Sequence, residues 1–178
     1  MNKKVLTSFL IAVTLIVGYL TFDSINSEIS FRKKVAEVDQ LVIERLETLR
    51  KIQLAYKEVN GEYADNFDKL FNFMNNGKYF KLKTVGENDG DVNNSKTDTI
   101  FVNPKVGVLG LTQESNINYL KMIPPTDTAI FKINAGKITQ NNVLVPVFEI
   151  SDPYPFNKGE KPKKVGDMYN AVTTGNWK

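Results

Sequence analysis

The chain opens on a continuous apolar segment. Residues 5–22 carry no charged side chain, Lys3 and Lys4 precede them, and Asp23 is the first acidic residue. A helix of these 18 residues is about 27 Å long, close to the hydrocarbon thickness of a bilayer. The pattern predicts a cytoplasmic stub and transmembrane anchor over residues 1–22.

The charges at the two ends of this segment predict its orientation. Because basic residues stay on the cytoplasmic side, the N-terminus is expected in the cytoplasm and the rest of the chain beyond the inner (cytoplasmic) membrane. A cleaved secretory signal is the alternative. It needs small residues before the cut, and residues 18–26 offer no good match. The sequence therefore favours an uncleaved, single-pass anchor.

A long amphipathic helix is predicted over residues 23–60. Residues 24–60 contain neither Pro nor Gly, and Gly61 is placed to end the helix. Apolar residues recur at spacings of three and four, which is helical and close to a heptad. They are Val35, Val38, Val42, Leu46, Leu49, Ile52, Tyr56 and Val59.

Two interpretations of this apolar stripe remain open. It packs on the protein's own head domain, or it forms a coiled coil with other subunits. About three heptads are short for a coiled coil, which favours packing on the head. If the stripe makes lateral contacts instead, the interaction residues are Val35, Val38, Val42, Leu46 and Leu49.

Residues 61–178 are predicted to form an α+β head with a small antiparallel sheet. Asp65 or Asn66 is expected to cap a short second helix, which Gly77 ends. Strands are predicted over 79–85, 99–102, 129–134, 137–140 and 143–150. The segment 137–140 is expected to pair back on 129–134, and Asn141 and Asn142 to form a turn.

The strand predicted over residues 143–150 is apolar on both faces. One face is expected to meet the long helix, and the other a loop or a partner. Pro146 within it indicates an edge strand or a bulge. The segment 86–98 is polar and predicts a loop. Trp177, the only Trp, either folds back on the head or lies in a frayed terminus.

The composition removes most catalytic chemistry. The chain has no Cys and no His, which excludes thiol nucleophiles, His general bases and ordinary zinc sites. Acid–base work would fall to carboxylates, and nothing in the sequence brings two of them together. The candidates are Glu58, Glu62, Asp65, Asp68, Glu149 and Asp152. We expect a non-enzymatic protein without catalytic residues.

No cofactor, metal or nucleic acid is expected. Residues 89–93 resemble the opening of a calcium loop, but Asn94 and Ile100 stand where that loop needs Gly and Glu. Without Lys3 and Lys4, 21 of the 23 basic residues face 20 acidic ones. This near-neutral balance gives no reason to expect nucleic-acid binding.

The segment 53–77, QLAYKEVNGEYADNFDKLFNFMNNG, carries a family resemblance. With the anchor and the amphipathic helix before it, it resembles the N-terminal architecture of pilins and type II secretion pseudopilins. The matching residues are Tyr56, Gly61, Tyr63 and Leu70. The resemblance covers residues 1–77, in which the prepilin leader and the glutamate of the membrane helix are not found. It implies a small β head and no catalytic residues.

The sequence supports one leading hypothesis and two alternatives. The leading one is a membrane-anchored envelope protein that serves as a subunit of a pilin-like or other assembly, with self-association or a protein partner on the long helix. The first alternative is a membrane-tethered extracytoplasmic binding module for a protein or ligand. The second is a carboxylate-dependent enzyme, which requires a cleft that joins two of the acids named above.

Overall fold

The structure is a computed structural model that describes residues 3–85 and 96–177. It confirms the predicted α+β fold, in which a long N-terminal helix precedes small antiparallel sheets. The helices are α1 (Lys3–Asn60), α2 (Phe67–Asn76) and α3 (Pro104–Leu109), with a 3-10 turn at Asn118–Lys121. The strands are β1 (Tyr79–Val85), β2 (Lys96–Val102), β3 (Lys132–Gln140), β4 (Val143–Ser151) and β5 (Lys164–Gly166).

The chain divides into two compact units, Met1–Gln40 and Leu41–Lys178. This division falls inside α1. The predicted boundaries lie elsewhere, at the end of the apolar segment (residue 22) and at the end of the helix (residue 60). The boundaries at residues 22 and 60 therefore stay predictions about sequence segments.

The first unit is the N-terminal part of α1. Within the described residues, α1 is the one helix long and apolar enough to cross a membrane, and its apolar stretch is exposed. The hydroxyl groups of the three threonines in this part are hydrogen-bonded within the helix. Thr7, Thr14 and Thr21 each donate to the carbonyl four residues earlier, at 2.8 to 3.0 Å. No hydroxyl of these three therefore needs water.

The second unit builds its core on the C-terminal part of α1. Val42, Leu46, Leu49 and Ile52 are buried there. Burial of each such side chain stabilises the fold by about 1.5–3 kcal/mol. The helix ends where predicted: the Gly61 N–H donates to the Lys57 carbonyl at 2.8 Å, and Gly61 has φ +78°.

Helix α2 begins and ends as predicted. Of the two candidate caps, Asn66 is the one used, since its side chain accepts a hydrogen bond from the Lys69 N–H at 2.8 Å. Gly77 follows the last turn, and its N–H donates to the Phe73 carbonyl. The buried face of α2 consists of Phe67, Leu70, Phe71, Phe73 and Met74.

The β strands form two antiparallel sheets. Strands β1 and β2 make a hairpin, and the second sheet has the order β3–β4–β5. The prediction of separate strands at 129–134 and 137–140 was wrong, because 132–140 is one strand that pairs with β4. Gly136 does not turn the chain. The turn comes from Asn141 and Asn142, which both adopt positive φ.

The position of Pro146 explains how a strand with proline lies in the middle of a sheet. Strand β5 pairs only with residues 149–151 of β4. At Pro146, β4 therefore has a neighbour on the β3 side alone, which agrees with the predicted edge character.

Strand β4 packs differently along its length. Phe148 and Val147 are buried, whereas Val143 and Leu144 near the turn are exposed. Phe148 meets Tyr63 of the loop before α2, whereas contact of the other face with the long helix stays a prediction.

The loop predicted over residues 86–98 is described only at its end. Residues 96–98 belong to β2 rather than to a loop. The calcium-loop candidate at 89–93 lies outside the described residues. The C-terminal tail folds back: Gly175 forms a bridge with Val165, and the Asn176 side chain accepts from the Lys164 N–H at 3.0 Å.

Candidate binding groove

The five residues predicted to make lateral contacts are all buried within one chain. Their exposed fractions are 7% for Val35, 5% for Val38, 2% for Val42, and 0% for Leu46 and Leu49. The burial of Val42, Leu46 and Leu49, which all belong to the second unit, favours the interpretation that this part of the stripe packs inside the protein. Contact of these residues with other subunits stays a prediction.

The second unit carries a groove of about 320 Å³ beside strand β3. The end of α1, the loop before α2, the first turn of α2 and the middle of β3 contribute to it. Its lining residues are Tyr56, Glu62, Tyr63, Asp65, Lys69, Ala135, Gly136 and Lys137. The volume lies at the lower end of the range for small-ligand pockets.

A buried glutamine holds the loop that forms one wall of the groove. The Gln53 Nε2 donates to the Ala64 carbonyl at 2.8 Å, and the Ala64 N–H donates to the Gln53 Oε1 at 3.0 Å. Both residues are fully buried. This pair of hydrogen bonds satisfies both main-chain groups of Ala64 and fixes the neighbouring Tyr63.

Two tyrosines give the groove an aromatic wall. The Tyr63 ring packs on Phe148 of β4 with ring centroids 4.5 Å apart, and Tyr56 meets Phe73 of α2 edge-on at 5.4 Å. The Lys57 ammonium lies 5.1 Å from the Tyr63 ring centroid. Both tyrosine rings therefore pack against neighbouring side chains of the head, and Tyr63 is buried.

The rim of the groove carries two exposed ion pairs. Lys137 Nζ lies 3.4 Å from Glu62 Oε2, and Lys69 Nζ lies 2.9 Å from Asp65 Oδ2. The hydrogen bond from Lys69 lowers the pKa of Asp65 and, reciprocally, raises the pKa of Lys69. Exposed pairs of this kind contribute about 0–1 kcal/mol, so a ligand exchanges them at little cost.

Three of the other four candidate carboxylates make structural contacts. Glu58 accepts from the Tyr79 hydroxyl at 3.0 Å; burial, followed by this hydrogen bond, raises the pKa of Tyr79. Glu149 binds Lys164 at 2.8 Å, and the Asp152 Oδ1 accepts from the Tyr154 N–H. Asp68 lies in the first turn of α2 and is exposed.

Of the candidate acids, Glu62 and Asp65 line this groove, and each has a lysine partner there. Over the described residues, no group of three or more acidic side chains is placed to hold a metal ion. The groove offers aromatic surface and exchangeable charges, which suit binding.

Sequence reasoning found half of the groove without recognising it as one. Tyr56 and Tyr63 belong to the segment that carries the pilin resemblance, and Glu62 and Asp65 were candidate acids. Nothing in the sequence singled out Lys69 or residues 135–137. Their proximity to the tyrosines is tertiary, because β3 is distant from α1 along the chain.

No protein-family model, no curated protein and no solved structure matches this chain. The resemblance to pilins and pseudopilins therefore stays a prediction from the residues that carry it.

Proposed function

We propose that this protein is a non-enzymatic, membrane-tethered binding module that holds a protein or ligand on its extracytoplasmic head. The N-terminal part of α1 serves as the anchor in the inner membrane of a bacterial envelope. Lys3 and Lys4 precede the apolar segment and no acid precedes Asp23, which supports a cytoplasmic N-terminus.

The proposal rests on one observation, the burial of apolar side chains of α1 within the head. Leu46 and Leu49 are fully buried, so their release for contact with another subunit costs about 3–6 kcal/mol of burial. A domain of this kind has about 5–15 kcal/mol of total stability. An intact head therefore presents other surfaces, and the groove is one that is open.

Site-specific crosslinking in living cells tests the proposal. A photo-reactive residue replaces Lys69, which lines the groove and is about half exposed. The matched control replaces Lys158, an exposed lysine of the loop between β4 and β5. We expect one discrete heavier adduct from position 69 and none from position 158.

The captured molecule is then purified and titrated against the full-length protein in nanodiscs. Saturable binding that weakens on Lys69→Glu and not on Lys158→Glu supports the groove as the site. No adduct at position 69, or equal adducts at both positions, contradicts the proposal.

A second candidate is the subunit of a pilin-like assembly. The observation that favours it is the single uninterrupted helix from Lys3 to Asn60, which joins the apolar and amphipathic segments. Because the stripe is buried, contacts between subunits would use exposed positions such as Leu41 and Leu54.

The absence of Cys makes this candidate simple to test. The variant Leu54→Cys carries one thiol and is treated with an oxidant in cells, so that neighbouring copies become linked by a disulfide. The variant Leu46→Cys, at a buried position, is the control. A ladder of disulfide-linked multimers from position 54 alone supports the assembly. A monomer, or one dimer band, counts against it.

A further inference from the structure

Among the described residues, strand β3 has a hydrogen-bonded neighbouring strand on one side only. In the sheet order β3–β4–β5 it is an outer strand. Across the described residues, no main-chain or side-chain hydrogen bond reaches residues 132–140 from outside the sheet. The opposite end of the sheet is covered, since the tail residue Gly175 bridges to Val165 of β5.

The hairpin geometry tells which groups of β3 point outward. In a two-residue hairpin, the pair that flanks the turn exchanges two main-chain hydrogen bonds, and every second pair repeats this. Here the 141–142 turn joins Gln140 to Val143. Even-numbered residues of β3 therefore bond to β4. The odd-numbered residues direct their N–H and C=O groups outward, and they are Ile133, Ala135, Lys137 and Thr139.

Pro146 supports this assignment independently. It pairs with Lys137 of β3, and a proline has no N–H to give to a ladder. It belongs at a pair without hydrogen bonds, which is the odd-numbered set.

The groove lies against the same residues whose main-chain groups point outward. Ala135 pairs with Phe148, on which the Tyr63 ring packs. Side chains of paired residues share one face of a sheet, so the odd-numbered side chains of β3 face the tyrosine wall. Ala135 and Lys137 both line the groove. A strand added to this edge would therefore direct alternate side chains toward the groove.

The charge of the edge indicates the chemistry of the added strand. The β3–β4 hairpin, residues 132–151, contains Lys132, Lys137 and one acid, Glu149, whose carboxylate binds Lys164 of β5 at 2.8 Å. Both hairpin lysines are exposed, and Lys137 forms an exposed ion pair with Glu62. A second copy of this chain would bring two more lysines to the same edge, whereas an acidic segment complements the lysines that are there.

We propose that the outer edge of β3 binds an extended, acidic segment of a partner protein, which adds a fourth strand to the sheet beside the groove. This inference rests on the proposed binding function and specifies its ligand. Main-chain hydrogen bonds to the odd-numbered residues provide the contact. Lys137 selects the acidic residue.

The first test uses random twelve-residue peptides displayed on phage. They are selected against the full-length protein in nanodiscs, after depletion on empty nanodiscs. We expect enriched peptides to alternate apolar and acidic residues. The most enriched peptide is then synthesised as the probe. Failure to enrich any peptide, or enrichment of basic ones, overturns the proposal.

Residue-resolved hydrogen exchange then tests the strand itself. With the probe at saturation, the amides of Ala135 and Lys137 should exchange at least about tenfold more slowly, because their outward N–H groups become hydrogen-bonded. The amide of Gly136, already bonded to β4, should change little. A bound probe that leaves the amides of Ala135 and Lys137 unprotected overturns strand addition.

Two variants separate the main-chain contact from the charge. Ala135→Pro removes one outward N–H and should weaken probe binding about tenfold, since a partner carbonyl is left unpaired. Lys137→Glu should weaken it similarly, Lys137→Arg should retain it, and Lys158→Glu serves as the charge-matched control. Circular dichroism confirms that each variant is folded. If Ala135→Pro does not fold, the hydrogen-exchange measurement on the unmodified protein is the test of strand addition.

The outcomes distinguish this inference from the proposed function. A crosslinked partner at position 69 whose binding ignores Ala135→Pro and Lys137→Glu overturns strand addition and leaves the binding module intact. No adduct at position 69 overturns both. Protection of Ala135 and Lys137 without peptide, rising with protein concentration, indicates a second copy as the occupant and also overturns the proposal.

Discussion

The amide of Gln53 allows the most direct test of how the groove is built. Its two hydrogen bonds to Ala64, at 2.8 and 3.0 Å, hold the loop between α1 and α2. Gln53→Met keeps an unbranched side chain of similar length and removes both bonds. The N–H and C=O groups of Ala64 then stay buried without partners.

The magnitude follows from that burial. Each buried main-chain group left unpaired costs about 1–3 kcal/mol, so two cost about 2–6 kcal/mol. Burial of the apolar Met side chain offsets part of this loss of stability. We therefore expect the free energy of unfolding to fall by about 2–4 kcal/mol. The matched control is Gln140→Met. Gln140 is exposed, and the same replacement there should change the free energy by less than about 0.5 kcal/mol.

The assay is equilibrium unfolding of the full-length protein in nanodiscs by urea. Trp177 is the only Trp and lies in the tail that pairs with β5, so its fluorescence reports unfolding of the head. With a denaturant slope of about 2 kcal/mol per molar urea, Gln53→Met should lower the midpoint by about 1–2 M. If its midpoint matches that of Gln140→Met, the two bonds do not hold the loop, and the account of the groove wall is wrong.

Three further predictions concern the stability of the head. Leu46→Ala should lower the free energy of unfolding by about 2–5 kcal/mol, and Leu54→Ala, at an exposed position, by less than about 1 kcal/mol; equal urea midpoints would contradict the burial of the stripe. Gly61→Ala and Gly166→Ala both place a Cβ at positive φ, which costs about 1–2 kcal/mol. Only at Gly166 would that Cβ overlap a carbonyl oxygen of the facing strand, so its melting temperature should fall clearly further; equal losses would refute the overlap. Hydrogen bonds from the main chain and from a lysine lower the pKa of Asp167 from 3.8 to about 2. The unfolded state therefore binds the proton first, and the stability that Asp167 contributes above about pH 4 is lost as the pH falls toward 2. Asp167→Asn should flatten the melting temperature over that range, and an unchanged acid slope would contradict the role of this carboxylate.

Local features of the chain were readable from the sequence. The apolar run, the helix end at Gly61, the cap of α2 and the turn at residues 141–142 each depend on neighbouring residues alone. Hydrophobic spacing, caps and turn residues report directly on such short-range physics. Their positions therefore agree with the structure.

Errors and omissions arose where partners are distant in the sequence. Gly136 looked like a break between two strands, but β4 pairs along its whole length and makes 132–140 one strand. Spacing alone did not reveal that Leu46 and Leu49 pack inside the chain, because a stripe has the same pattern whether its partner is the same chain or another.

The sequence by itself determined the apolar N-terminal segment, the α+β class and the ends of the main helices, since these follow from local periodicity and capping. Only the tertiary structure decided which segments that are distant in the sequence contact each other. It placed Tyr56 and Tyr63 beside residues 135–137, and over the described part of the chain it left the outer edge of β3 without a hydrogen-bonded neighbouring strand. Such contacts depend on how distant segments pack, and the spacing of residues within each segment does not record that.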